Sequence, residues 1–289
     1  SPMSRGLGDV YKRQHWRFIR DILRFNKQAP ALLNSVEGDI PLGKYLRDNG
    51  YGERFSRDYI LAMGGAIWSC SLEQMEVFPA RFFIQFFQNH GLLSLNDRPQ
   101  WCVVPGGSNQ YVQPLVDGCD AIFHTGTPVQ GVRRDDQGVY VTVQGQEQHF
   151  DQVVLACHSD QALALLGDPD EREKRTLSQL GYQDNEVVLH TDTRLLPRRE
   201  RVWSSWNALL FEQDQERVQV TYNMNILQGI NAPETFCVTL NATDRIDEKK
   251  ILARYRFAHP LFTPQTVAAR EQLLNCLLYT SDAADEWLR

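Results

Sequence analysis

The sequence predicts a mixed α/β chain in which an α+β portion surrounds a more regular α/β portion. Three observations predict it. Residues 15–100 carry apolar residues at helical spacing, with few strand signals. Residues 101–166 alternate short β segments with turns and end in the continuous apolar run Val153-Val154-Leu155-Ala156. Residues 167–275 are rich in strands.

The first block opens with a helix over His15–Leu33. Trp16, Ile19 and Leu23 form its apolar side, Arg17, Arg20, Asp21 and Arg24 lie between them, and Pro30 ends or kinks it. Pro41 starts a short helix that Asn49-Gly50 stops. Phe55–Trp68 is a third helix, and its Gly64-Gly65 pair lets another backbone approach closely. Leu72–His90 is a fourth, bearing Phe78, Phe82, Phe83, Phe86 and Phe87, with His90 at its C-terminal cap. So many rings on one helix either fill a core or line an apolar cavity, with Phe82 and Phe86 the cavity candidates.

In the second block Trp101–Val104 is a short strand, Pro105-Gly106-Gly107 a turn, and Ser108 the cap of a helix to about Val116. Strands follow at Ala121–His124, Val129–Arg134, Val139–Gln144 and His149–Phe150, with Asp135–Gly138 as a hairpin turn. Val153–Ala156 is read as a buried strand, followed by a helix over Asp160–Leu166. The third block has a charged helix over Asp168–Leu180. Strands are expected at Glu186–Thr191, Arg201–Trp206, Val218–Asn223 and Phe236–Leu240, and a helix over Asp247–Tyr255. Trp203 and Trp206 fall on one of those strands, as core packing or as an aromatic substrate wall.

Composition narrows the classes. The chain has 289 residues, 42% hydrophobic and 23% charged, so it is neither disordered nor fibrous. A formal net charge of −6 argues against a nucleic-acid partner. No apolar run is long enough for a transmembrane segment. Six Cys without a CxxC suit free thiols in a reducing compartment. The expected location is cytoplasmic, with peripheral membrane association open.

Phosphate-cradling P-loop and GxSxG signatures are absent, and the seven His lack metal-ligand spacing, so no metal site is expected. No residue stands out as catalytic. Cys157 reads as a small buried residue, and His158 as either a hydrogen-bonded structural residue or a neighbour of a ligand.

The two ends read differently. Asp9-Val10-Tyr11-Lys12-Arg13-Gln14 and Cys276-Leu277-Leu278-Tyr279-Thr280-Ser281 are translations of the opposite strands of one short DNA element. Residues 1–14 and 276–289 are therefore expected to be translated sequencing adapter, which is left out of fold reasoning. The natural segment is then about residues 15–275, cut at both ends.

Several stretches together carry a family resemblance: Arg20–Asn26, Met63–Ser69, Phe78–Phe83, Asn89–Leu93, Asn96–Trp101, Val104–Ser108, Val153–Ala162 and His190–Pro197. The chain resembles the amine-oxidase-like FAD-dependent oxidoreductases, and within them the bacterial proteins described as NAD/FAD-binding. The resemblance implies an interleaved architecture. Residues 101–166 would be the central piece of a partial, Rossmann-like FAD/NAD(P)-binding domain. Residues 15–100 and 167–275 would be the helical and β-rich parts of an amine-oxidase-like substrate domain.

It also implies FAD as cofactor. Val129 matches the position whose backbone meets the adenine, and Ala156 and Cys157 match the strand end that approaches the cofactor. The implied activity is oxidation of a small or lipid-like substrate by hydride transfer to flavin, inactive in the fragment alone. Desaturation or isomerisation of an isoprenoid or acyl chain, or non-catalytic flavin binding, are the alternatives.

Overall fold

The computed structural model of the chain describes residues 2–35, 40–96, 99–210 and 217–273. Two compact units emerge, each made from two stretches: Ser1–Ser108 with Asp184–Phe257, and Asn109–Gln183 with Ala258–Arg289. The expected adapter stretch 276–289 lies outside the described residues.

The first unit begins with six helices. Helix α1 (Pro2–Gln28) gives way to a 3-10 turn over Ala29–Asn34, where Pro30 cannot donate to an α-helical ladder. Helix α2 (Leu42–Asp48) stops before Gly50, whose φ of 64° suits glycine. Helix α3 (Glu53–Phe55) runs through a wide π turn, Ser56–Leu61, into α4 (Ala62–Trp68).

The expected helix over Leu72–His90 is instead two helices, α5 (Leu72–Glu76) and α6 (Ala80–Asn89). Pro79 between them lacks an N–H and forces Phe78 out of the helical region. Ser71 and Gln74 cap α5 reciprocally. Phe25, Phe55, Met75, Phe83, Ile84 and Phe87 are fully buried among these helices. The close approach at Gly64-Gly65 is made mainly by side chains, where another backbone was expected. A Cβ on Gly64 would sit 2.3 Å from Met75 Cε, and one on Gly65 2.4 Å from Val218 Cγ2.

The second unit holds α7 (Val112–Asp117) and an antiparallel meander of β1 (Val129–Asp135), β2 (Gly138–Val143) and β3 (Gln146–Phe150). The β1–β2 hairpin closes at Asp135–Gly138, where Asp135 Oδ1 accepts from the Gln137 amide at 2.8 Å. Helices α8 (Ser159–Leu165) and α9 (Glu171–Ser178) follow. Arg134 on β1 is gripped by Asp168 at 3.0 Å and Glu173 at 2.7 Å.

Three expected strands do not form. Trp101–Val104, Ala121–His124 and Val153–Ala156 belong to no helix or strand among the described residues. A strand exists only through its ladder, so their apolar side chains stay exposed: Trp101 by 64%, Ile122 by 85% and Val154 by 64%.

A five-stranded sheet completes the fold. Its strands are β4 (Tyr182–His190), β5 (Trp206–Leu209), β6 (Gln219–Asn223), β7 (Cys237–Leu240) and β8 (Ile251–Pro260), in the order β5-β6-β7-β4-β8. Helix α10 (Met224–Gln228) lies between β6 and β7 in sequence, and α11 (Pro264–Leu273) follows β8. The expected helix over Asp247–Tyr255 is a 3-10 turn, Glu248–Lys250, followed by β8. Asp247 caps that turn, but pairing beside β4 draws the next residues into the sheet. The strand expected over Arg201–Trp206 is likewise a 3-10 turn (Glu200–Val202), with β5 beginning at Trp206.

Candidate functional site

Directly paired residues of antiparallel strands share a face, so the register sorts this sheet into two unlike surfaces. One face carries the rows Asn207–Thr221–Thr239–Val188 and Asn223–Cys237–His190. It is largely polar and buried, with His190, Thr239 and Cys237 at 0% exposure. The other carries Trp206–Tyr222–Val238–Leu189 and Ala208–Val220–Leu240–Val187. It is apolar and only partly covered, with Trp206 48% exposed.

The polar face is held by a chain of hydrogen bonds. His190 Nδ1 accepts from the Asp192 amide at 3.0 Å, so the imidazole proton sits on Nε2. Nε2 then donates to Thr239 Oγ1 at 2.7 Å, and the Thr239 and Thr221 hydroxyls share a hydrogen bond at 2.8 Å. Burial lowers the His190 pKa, with the Asp192 charge acting the other way. Asp192 is held well below the usual carboxylate range, first by Arg194 and also by the amides of Asp247 and Arg194. Burial pushes the Cys237 thiol up to about 11. These groups are sealed from solvent, and their chemistry is structural.

The apolar face is the candidate site. The Trp206 ring meets Tyr222 edge-on at 5.4 Å. At one end Ala66 of α4 packs on Val218 and Val220 and closes the surface. Tyr222 is the one titratable group in these rows, and burial raises its pKa, so the phenol stays protonated.

The other aromatic candidates are placed differently. Phe82 and Phe86 lie half-buried around Trp68, at 6.4 and 4.9 Å. His90 stacks on Phe86 at 4.2 Å and donates from Nδ1 to the Phe86 carbonyl at 2.7 Å, as a C-terminal cap. Trp68 follows Ala66 by two residues, roughly 200° around α4. Thus Phe82 joins Phe86 and Trp206 joins Tyr222, but the two pairs flank opposite sides of α4. Trp203 joins neither: it precedes β5, and its Nε1 donates to the Pro197 carbonyl at 2.7 Å. Sequence reasoning missed Trp68 and Tyr222. The alternation Val218, Val220, Tyr222 is the signal that marks the latter.

In the second unit, Val129 stands 39% exposed at the start of β1, an edge strand. It pairs with Val143 beside a bulge. The opposite edge of β1 is bridged at Val132, to Leu166. Ala156 is exposed and Cys157 half-buried, just before α8. His158 stacks on Tyr182 at 4.2 Å, and the Ser159 hydroxyl donates to the Leu180 carbonyl at 3.2 Å. Among the described residues no group of three His, Cys, Asp or Glu gathers as for a metal. No described helix is long and apolar enough to cross a membrane.

The fold is that of solved oxidoreductases and a related isomerase. A CLA-producing fatty acid isomerase from P. acnes is 14% identical with a TM-score of 0.60, over 90% of this chain and 66% of that one. Cyclohexylamine oxidase from Brevibacterium oxydans is 12% identical with a TM-score of 0.57, over 87% and 66%. The A394C mutant of putrescine oxidase is 12% identical with a TM-score of 0.57, over 80% and 55%. The chain therefore spans less than two thirds of the length of each. No curated protein matches its sequence. The sequence profile of the flavin containing amine oxidoreductases matches residues 14–223, most of the chain, which therefore belongs to that family.

Proposed function

We propose that the chain is the interior of an FAD-dependent oxidoreductase that takes a hydride from a small or lipid-like substrate. The observation that carries this reading is the inverted sheet. Its polar face is sealed and its apolar face is partly open, and exposed apolar area costs about 25 cal/mol per Å² until something covers it. Bound FAD supplies the hydride acceptor. Residues 101–166 are read as the central piece of the FAD-binding domain, and residues 15–100 with 167–275 as the substrate domain. The main chain of edge strand β1 at Val129 would meet the adenine. Ala156, small and exposed, and Cys157 beside it leave room for close approach of the cofactor.

Trp206, Tyr222, Val238 and Leu189 would orient an apolar chain and exclude water from it. Those rows offer no carboxylate to a protonated amine. That favours, as a second reading, desaturation or isomerisation of an acyl or isoprenoid chain. The exposed thiols Cys102 and Cys119 suit a reducing, cytoplasmic location.

The test is anaerobic mixing of a parent protein of the relatives' length, loaded with FAD, with amines and with unsaturated acyl or isoprenoid donors. Loss of the oxidised flavin absorbance with the apolar donors is expected. A spectrum that no donor changes would mean a non-catalytic flavin protein and end the proposal.

A further inference from the structure

Two turns cover the polar face of the five-stranded sheet. Leu195 from one and Ile246 from the other pack with Val188 and Ala242 in one cluster. The Asp247 amide donates to Asp192 Oδ2 at 2.9 Å, and the Thr191 amide to the Lys250 carbonyl at 3.0 Å, which locks the turns side by side. This layer bears exposed Arg198, Arg199, Arg201, Lys249 and Lys250. None of the five enters an ion pair among the described residues. Two nearby acids are already engaged, Asp192 by Arg194 and Glu248 by Arg254. The turns also carry the acids Glu200, Asp244 and Asp247, so five cations face three further acids and leave a locally positive surface on a chain of formal net charge −6.

The same side of the sheet also presents two aromatic rings. Ile251 of β8 packs against the cluster under the turns, and strand alternation puts Tyr255 and Phe257 on its side. They are 51% and 59% exposed and stack on each other at 5.9 Å. Cations beside exposed aromatics match the headgroup region of a membrane, where phosphates take the charge and rings enter the interface. Nucleic acid fits less well. Two rings on alternate residues of one strand make only a short platform for successive bases.

We propose that this surface docks on an anionic lipid membrane. The proposal stands apart from the redox reading, because neither flavin nor substrate enters it.

The experiment is co-sedimentation of the 289-residue chain with vesicles of phosphatidylcholine alone, and of phosphatidylcholine and phosphatidylglycerol in equal parts. Binding to the anionic vesicles, weakened by salt, is expected. Replacing Arg198, Arg199 and Arg201 together by Gln should weaken it on the order of a hundredfold, at roughly fivefold per cation. Lys249→Gln with Lys250→Gln should weaken it by more than about tenfold, and this pair replaces the triple variant if circular dichroism shows the latter misfolded. Tyr255→Ser with Phe257→Ser should weaken binding while leaving its salt dependence. Equal binding to both vesicle types, charge variants that bind like the parent, or duplex DNA bound as tightly as the anionic vesicles would each overturn the proposal.

Discussion

Thr239→Val is the sharpest probe of the buried polar face, because Thr239 is the middle member of its hydrogen-bonded chain. The substitution keeps the shape of the side chain and removes the hydroxyl between His190 and Thr221. It strands two groups at once: the His190 Nε2–H loses its acceptor and the Thr221 hydroxyl loses its partner. His190 cannot escape by moving its proton, since Nδ1 must stay bare to accept the Asp192 amide. Both residues are at most 1% exposed, so water cannot substitute. At about 1–3 kcal/mol for each stranded buried group, the loss is about 2–6 kcal/mol. Thr221→Val leaves only the Thr239 hydroxyl short of one partner, while it still accepts from His190, and should cost about 1–3 kcal/mol. Urea denaturation at about pH 8, where imidazole is neutral, measures both. A Thr221→Val loss larger than that of Thr239→Val would refute the central place of Thr239 in the chain.

Three further outcomes are expected. The pKa values of His190 and Asp192 are both lowered on folding, so each contributes stability above its unfolded value that is lost as pH falls. Thermal midpoints should therefore decline below about pH 6.5 and further below about pH 4, and a rise in midpoint between those values would contradict the sealed imidazole. Gly65→Ala gains about 1 kcal/mol of helix propensity but meets Val218 Cγ2 at 2.4 Å and the Cys70 carbonyl at 2.9 Å. Overpacking of about 1–3 kcal/mol should leave it less stable in urea, partly rescued by Val218→Ala; a stabilised variant would show that the approach is not tight. Trp206→Ala should change stability little, since Trp206 is half exposed, yet weaken binding of a fluorescent long-chain fatty acid about tenfold. Unchanged affinity would remove the apolar face as the binding surface.

The legible features were those fixed by neighbours in sequence. Pro30, Asn49-Gly50 and the Asp135–Gly138 turn act through local backbone geometry, and each stands where a local reading puts it. Pro79 was equally local, but a long run of Phe masked it. Other features depend on distant partners. Val153–Ala156 has the composition of a buried strand, yet without a ladder it is only an irregular segment. Asp247 gives the signal of a helix N-cap, and the same signal serves a single turn when β4 lies ready to pair with Ile251 and its successors.

The candidate site shows the limit most clearly. The alternation Gln219-Val220-Thr221-Tyr222-Asn223 announces two unlike faces, and the default places the apolar one inward. Here the default fails because Thr221, Thr239 and His190 satisfy one another, and a satisfied polar row is no longer costly to bury. Those partners are 18 and 49 residues apart in the chain. No local pattern encodes such a network, so which face of the sheet opens toward a ligand is a property of the fold, although every residue that decides it is visible in the sequence.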